Sequence, residues 1–479
     1  MFSIVNAARD ISRLREIYVV LVRHGFGEIV SRLRAQRPAR PRDPERRDSV
    51  TPPSSVRGDS LVPPGEPDFI PAEELTRGED ERSRISTAER IRLVAQDLGP
   101  SFIKLGQLLS TRPDVIPAEI LMELKKLQDD VPPEPFDKLR PQIEKCLGGP
   151  IEDVFERVDE RPLAAASIGQ VHRAWLKSEG GSIPVAIKIQ RPGVEQIVLR
   201  DLDLLHLLAA LIERAIPESR IYSPRGLVDQ FDRAISSELD FRVEAENAGR
   251  FARDNAHDPS VVFPKVYKQA SGKYVLTLEF LGGRKVYDAI AAGFEGPMLA
   301  RRALGVVIKQ IMEDGFFHAD PHPGNILILG TPTEPVFAML DLGMAGRLSP
   351  ELRDKTLDLM VAAVRRDHVG VADAMYEIGV PTRKVDMRAY RSDVSLLADK
   401  YLGLPLGDIK LSALIRDIIQ GATRHGLEVP PDFLLVAKAL MTIEGVAKEI
   451  FPEMDVIEEV RSNAAYAMPG QLGEVLDDL

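Results

Sequence analysis

The spacing of apolar residues divides this 479-residue chain into segments of different character. In residues 1–35, Ile11, Leu14, Ile17, Tyr18 and Leu21 recur at helical spacing and predict an amphipathic helix. Residues 36–72 are rich in Pro, Arg, Ser and Asp with no apolar period, the pattern of a disordered linker. Ser86-Thr87-Ala88-Glu89 then has capping-box spacing ahead of Ile91, Val94 and Leu98, which predicts a helix start. Pro117 suits the first turn of a helix carried by Leu121, Leu124 and Leu127. A further helix through Phe136, Leu139 and Ile143 should stop at Gly148-Gly149. Together these predict a helical extension over residues 73–150.

From Ile151 the pattern turns β-like. Val154–Val158, Val171–Leu176 and Val185–Gln190 read as strands, with Gly180-Gly181 between the last two. Residues 194–250 look helical, and Val261–Tyr267 and Lys273–Phe280 return to strand. Gly282-Gly283 offers a hinge. After it come a helix near Arg301–Asp314, a loop, two short strands and a helical C-terminal half. The fold class expected is α/β (α+β) with two lobes, residues 151–283 and 284–479, the first carrying a helical insertion.

Three fragments carry chemistry, in this order: Val185-Ala186-Ile187-Lys188, His318-Ala319-Asp320-Pro321-His322-Pro323-Gly324-Asn325, and Asp341-Leu342-Gly343. Phosphoryl transfer from a nucleotide needs a cation on the phosphates, a carboxylate at the acceptor and oxygen ligands for Mg²⁺. Lys188 supplies the first and Asp320 the second, while Asn325 and Asp341 stand where Mg²⁺ ligands belong. Each fragment alone is common, but all three in kinase order predict a protein-kinase-like fold that uses ATP and Mg²⁺. Lys188 needs a carboxylate to fix it. Glu244 is the candidate, with Glu246 the alternative on a different helix face. His318 is read as a brace for the loop.

Two departures from ordinary kinases stand out. In place of a G-x-G-x-x-G loop the chain has Ala164-Ala165-Ala166-Ser167-Ile168-Gly169-Gln170, with a single glycine. Alanines keep the turn small but deny it the φ > 0 freedom of glycine. And only six residues separate Gly343 from Pro350, where Ser349-Pro350-Glu351 already looks like a helix start. No long activation segment fits there, so a small-molecule or lipid-linked role outranks general protein phosphorylation.

Lys104-Leu105-Gly106-Gln107 and Glu238-Leu239-Asp240, together with Ala164–Ser167, resemble the KxGQ, ExD and alanine-rich-loop motifs of the UbiB (AarF-related) atypical kinases. The resemblance covers roughly residues 85–455 and rests on six ordered motifs. It implies a protein-kinase-like fold, ATP binding and hydrolysis, and a link to ubiquinone or other isoprenoid or quinone-precursor lipids. It also assigns Ala164, Ala165, Ala166, Ser167, Glu238 and Asp240 to the nucleotide site. Lys104 and Gln107, an i, i+3 pair, are counted with them, on a helix face over the place where a kinase would admit a peptide.

Composition narrows the setting. With 44% apolar and 28% charged residues the chain can bury a large core, and a net charge of −11 argues against nucleic acid as its partner. The single cysteine, Cys146, reads as a small buried hydrophobe, and it suits a reducing, cytoplasmic compartment. No stretch is apolar and long enough for a transmembrane helix. The acidic ending Gly473–Leu479 departs from the hydrophobic C-terminal anchor usual in the family's bacterial members. Up to Asp48 there are eleven arginines, six acids and no lysine, so the N-terminal helix fits a peripheral contact with an anionic inner-membrane surface. Packing on the kinase-like body explains its apolar stripe equally well.

Three rival readings remain at the level of sequence. An aminoglycoside- or choline-type small-molecule kinase shares H-x-D-x-x-x-x-N, but has no use for KxGQ and ExD. A nucleotide-sensing scaffold would keep the same residues without turnover. A transition-metal hydrolase built on His318, Asp320 and His322 leaves Lys188 and Asp341 unexplained.

Overall fold

A computed structural model of the chain describes residues 4–27, 85–110, 112, 116–127, 131–216, 223–365, 367–402 and 410–460. The linker expected at 36–72 and the acidic ending lie outside the described residues.

Helix α1 (Ile4–Arg23) is followed, after the undescribed stretch, by α2 (Thr87–Leu98), α3 (Pro100–Leu109), α4 (Ala118–Leu124) and α5 (Phe136–Leu147). Half of the capping box forms: the Ser86 Oγ accepts from the Glu89 N–H at 3.1 Å, while the Glu89 carboxylate accepts from Arg92 at 3.1 Å. Helix α5 ends on Gly148 in the left-handed region, with φ +74°. Gly106 has a different reason to be glycine, since a Cβ there would lie 2.3 Å from Leu127 Cδ1. It lets α3 approach the end of α4 closely.

The five-stranded N-lobe sheet runs β1 (Phe155–Val158), β3 (Gly169–Ser178), β4 (Gly181–Gln190), β6 (Val275–Glu279), all antiparallel, with β2 (Ala164–Ala165) paired to β3. Between β4 and β6 the chain inserts α6 (Val194–Ala215), α7 (Pro224–Glu238) and α8 (Phe241–Asp254). The strand expected over Val261–Tyr267 shrinks to β5 (Val261–Val262), because Pro264 has no N–H to give a ladder. Only an isolated bridge, Val266 to Leu278, follows it.

The C-lobe opens with β7 (Arg284–Lys285) and α9 (Gly296–Lys309), which runs into a widened π turn over Gln310–Asp314. Strands β8 (Phe316–His318) and β11 (Ala345–Arg347) pair, and β9 (Ile326–Thr331) and β10 (Glu334–Met339) form a hairpin. Helices α10 (Pro350–Val364), α11 (His368–Ile378), α12 (Met387–Leu402), α13 (Leu411–Arg424) and α14 (Pro431–Ile450) complete it. The main core joins α9 and α14 to β8, β9 and β10 through residues such as Leu304, Phe317, Ile328, Phe337 and Ile443.

The N-terminal helix packs on this body. Ile17 and Val20 are buried with Leu98 and Leu204. The Arg13 guanidinium donates to both Asp201 carboxylate oxygens at 2.7 and 2.9 Å and to the Leu98 carbonyl at 2.7 Å. Such a two-pronged, charge-assisted contact fixes orientation as well as position. Leu14 and Tyr18, on the outer side of α1, stay exposed. Leu105 and Leu108 of α3 pack on the cluster of α6 and α7, so the N-terminal extension and the insertion share one helical layer.

Candidate active site

A cavity of ≈ 550 Å³ lies between the lobes, beneath the alanine loop. Its ceiling is β4, where strand alternation sends Ala186 and Lys188 toward the cavity while Val185, Ile187 and Ile189 enter the N-lobe core. Leu278, Leu327 and Leu340 add apolar walls. These wall residues carry no polar signature, and sequence reading missed them.

Lys188 sits between two carboxylates. Its Nζ donates to Glu244 Oε2 at 2.7 Å and to Asp341 Oδ1 at 2.9 Å, with the Phe241 ring centroid 5.3 Å away. Burial works against the ammonium, but the charges of Asp341 and Glu244 outweigh it and raise its pKa. The Lys188 cation holds the Asp341 carboxyl well below the usual carboxylate range. Burial, reinforced by Asp341, pushes Glu244 up despite its ion pair with Lys188. Glu246, the alternative partner, is exposed on another face of α8. The same helix also ties down the D-L-G turn, because Asn247 donates to the Leu342 carbonyl at 2.9 Å. Glu244 and Asn247 are i, i+3 and share a face.

The H-x-D loop is held by its histidine. His318 is buried, its Nδ1 accepts the Asp320 N–H at 3.1 Å, and its Nε2–H donates to the Leu340 carbonyl at 3.0 Å. Burial lowers its pKa, in keeping with a neutral ring that braces the loop. Gln310, from the widened turn, accepts the His318 N–H at 3.1 Å. Asn325 donates to the Asp320 carbonyl at 3.2 Å, and the Asn325 carbonyl accepts from the Leu340 N–H at 2.8 Å. Asp320, Asn325 and Asp341 thus line one side of the same cavity. Asp341 itself has φ +51°, a left-handed backbone that Asp tolerates better than most residues.

The transition-metal reading fails on this geometry. His318 and His322 spend their Nδ1 atoms on the N–H groups of Asp320 and Gly324. Among the described residues no three His, Cys, Asp or Glu side chains are grouped to hold a metal.

The alanine loop is a closed hairpin. Ala166 N–H donates to the Gly169 carbonyl at 2.8 Å, and Arg191 Nε donates to the Ala166 carbonyl at 2.8 Å. Its one glycine is required by packing, since a Cβ on Gly169 would lie 2.7 Å from the Ile189 carbonyl oxygen. Ala164, Ala166 and Ser167 line the cavity, whereas Ala165 does not. The Ser167 hydroxyl is fully buried and has no hydrogen-bond partner.

KxGQ and ExD meet over this loop. Lys104 of α3 pairs with Glu238 at 3.2 Å, and both line the cavity. Glu238 closes α7 and Asp240 caps α8, so the break at Leu239 lets two acids of i, i+2 spacing border one cavity. The Asp240 carboxylate is engaged by Arg242, whose Nε and Nη2 donate to it at 2.8 and 2.6 Å. Gln107 is set apart: its amide donates to the Leu127 carbonyl at 3.3 Å, and it does not line the cavity. It ties α3 to the end of α4.

An ABC1 atypical kinase-like domain matches residues 126–375, and a UbiB helical domain matches residues 394–455. The chain belongs to the UbiB family of atypical kinase-like proteins. Among its UbiB relatives, the probable protein kinase UbiB of Marinobacter nauticus is 33% identical over 78% of this chain and 68% of its own length. That of Azotobacter vinelandii is 36% identical over 78% of this chain and 70% of its own. A solved structure of Rv3197 with erythromycin, from Mycobacterium tuberculosis, covers 80% of this chain and 99% of its own at 21% identity, with a TM-score of 0.49. UbiB membership accounts for the ordered motifs together with the two-lobed architecture. Among the described residues, no helix is long and apolar enough to cross a membrane.

Proposed function

We propose that this UbiB-family chain binds MgATP in the interlobe cavity and hydrolyses it or transfers its terminal phosphoryl group, in support of ubiquinone or related isoprenoid-lipid metabolism. The observation that carries the reading is the meeting of Lys188, Glu244 and Asp341 within hydrogen-bond distance, beside Asp320 and Asn325. The residues fit the ligand: a slot between Ala186, Leu278, Leu327 and Leu340 suits a flat base, and a cation with hard oxygen donors suits phosphates and Mg²⁺. The orphaned Ser167 hydroxyl gives the loop a hydrogen-bonding group beside the phosphates.

MgATP would supply the transferable phosphoryl group and a divalent charge beside it. Lys188 would hold the α- and β-phosphates, kept in place by Glu244. Asn325 and Asp341 would take the Mg²⁺. Asp320 would orient an acceptor hydroxyl or water and accept its proton. With β11 and α10 following the D-L-G turn directly, there is no extended platform for a peptide, which favours a small or lipid-linked acceptor. Leu14 and Tyr18 on the exposed side of α1 would contact an anionic membrane surface, bringing the site close to such lipids. Phosphate release from MgATP should be measurable and should rise with anionic vesicles and phenolic quinone precursors. A chain that binds MgATP without turnover would instead be a nucleotide-sensing scaffold.

The closed alanine hairpin supports a restraint on transfer. Ala166→Gly removes a methyl group and opens φ > 0, letting the loop draw closer to the phosphates. Altered nucleotide preference and more autophosphorylation are expected, with the acceptor in the N-terminal extension. Radiolabelled ATP and nucleotide affinities would report both, with Ala165→Gly made alongside. If both variants match the parent in both assays, the alanines are only a tight turn.

A further inference from the structure

The loop from Asp320 to Asn325 has a fixed backbone and no permanent cation of its own: between the two stand Pro321, His322, Pro323 and Gly324. Its main chain is pinned at Asp320, whose N–H goes to His318 and whose carbonyl accepts from the His322 N–H and the Asn325 amide. The carboxylate is met from elsewhere. Lys438, on α14, places its Nζ 3.4 Å from Asp320 Oδ1 and 3.4 Å from the sulfur of Met344, the residue after the D-L-G turn.

Lys438 is an odd residue for its position. Val436, Ala437, Ala439 and Leu440 around it are all buried in the C-lobe, and the Lys438 side chain is 18% exposed. Placing an ammonium there is unfavourable unless a carboxylate compensates it. The carboxylate it meets lines the cavity, whereas Lys188 is held by Glu244 and Asp341. On the cavity wall itself acids outnumber bases: Glu238, Asp240, Glu244, Glu279, Asp320 and Asp341 stand against Lys104, Lys188 and Lys285. A cation behind Asp320 offsets that charge on the acceptor side without occupying the space an acceptor needs.

We propose that Lys438 is a positioning residue for phosphoryl transfer, delivered by α14 to hold the Asp320 carboxylate in its orientation toward the acceptor. This rests on the MgATP reading above. Lys438 does not line the cavity, so it acts through Asp320 and leaves the nucleotide contacts alone.

The test uses the full chain with Lys438→Met, which keeps the stem and removes the charge, and Lys438→Arg, which keeps the charge. ADP affinity, affinity for ADP with Mg²⁺ and aluminium fluoride, and MgATP turnover are measured for each. In Lys438→Met, turnover and the extra affinity for the fluoride complex should fall about 10–100-fold, the scale of a misplaced reacting group. ADP affinity should stay within about twofold, an energy near RT. Lys438→Arg should recover most of the loss. A parallel fall in ADP affinity assigns Lys438 to the fold and overturns the proposal, as does an arginine variant no better than the methionine one. Should the methionine variant not fold, an arginine variant lacking the extra fluoride-complex affinity overturns it equally. A parent that turns over MgATP, with a methionine variant that matches it, sinks this inference alone. A parent with neither turnover nor preference for the fluoride complex sinks the MgATP reading and this one together.

Discussion

Asp341→Asn should abolish the Mg²⁺-dependent part of nucleotide binding while leaving the fold in place. The carboxylate lines the cavity beside Asn325, is half exposed, and lies 2.9 Å from Lys188. Lys188 keeps it ionised through the ordinary pH range, so it is always ready to ligate a hard cation. An amide of the same shape is a far weaker ligand for Mg²⁺. Asparagine also tolerates the left-handed backbone at this position, with φ +51°, whereas alanine would add strain. The substitution therefore tests chemistry, with backbone conformation held constant. Calorimetric titration should show MgATP affinity falling by about 100-fold, at the top of the range for disturbed metal sites. It should then match the affinity that the parent shows for ATP with EDTA. Unchanged affinity in the variant would remove Asp341 from the metal site.

Lys188→Met should be the most destabilising single change near the site, and its effect should depend on pH. Glu244 has a side chain only 5% exposed, and Lys188 is the cation that compensates it. Removing one partner of such a pair typically costs about 3–5 kcal/mol, because the other charge is left buried. Glu244 can reduce that loss by taking up a proton, and its pKa is already raised by burial. In the variant the folded-state pKa should lie still further above the unfolded one. The folded protein then binds more protons than the unfolded one, so stability falls as pH rises. Thermal unfolding of variant and parent at about pH 5 and about pH 8, on either side of the window that a raised carboxyl pKa opens, should show the larger gap at the higher pH. Adding Glu244→Gln to Lys188→Met should recover part of it. A gap that is the same at both pH values, with no recovery in the double variant, would mean that Glu244 is not the stranded charge.

The site was legible in sequence where one local pattern sets one role. Val185–Lys188 alternates apolar and cavity-facing positions with the period of a strand, so a lysine there had to face the opposite way from Ile187 and Ile189. The N-cap at Ser86 and the glycine stop after α5 are equally local, and the structure keeps both. The strand expected at Val261–Tyr267 failed for a local reason too: Pro264 denies it a ladder bond. Glu244 could be proposed because a buried lysine requires a carboxylate, but distance along the chain could not choose it over Glu246. The helix phase and the docking of α8 did that.

Periodicity, capping residues and motif order are properties of short stretches, which is why the sequence by itself determined the two lobes, the helical extension, the alanine turn and the identity of the chemical groups. Tertiary structure decided which distant groups meet. It turned α1 onto the body through Arg13 and Asp201, joined Lys104 to Glu238 over the cavity and directed Gln107 away from it. It also brought Lys438 from α14 to Asp320. Such pairings depend on helix packing across the whole chain, where side-chain shape and burial set the approach, and no local pattern encodes them.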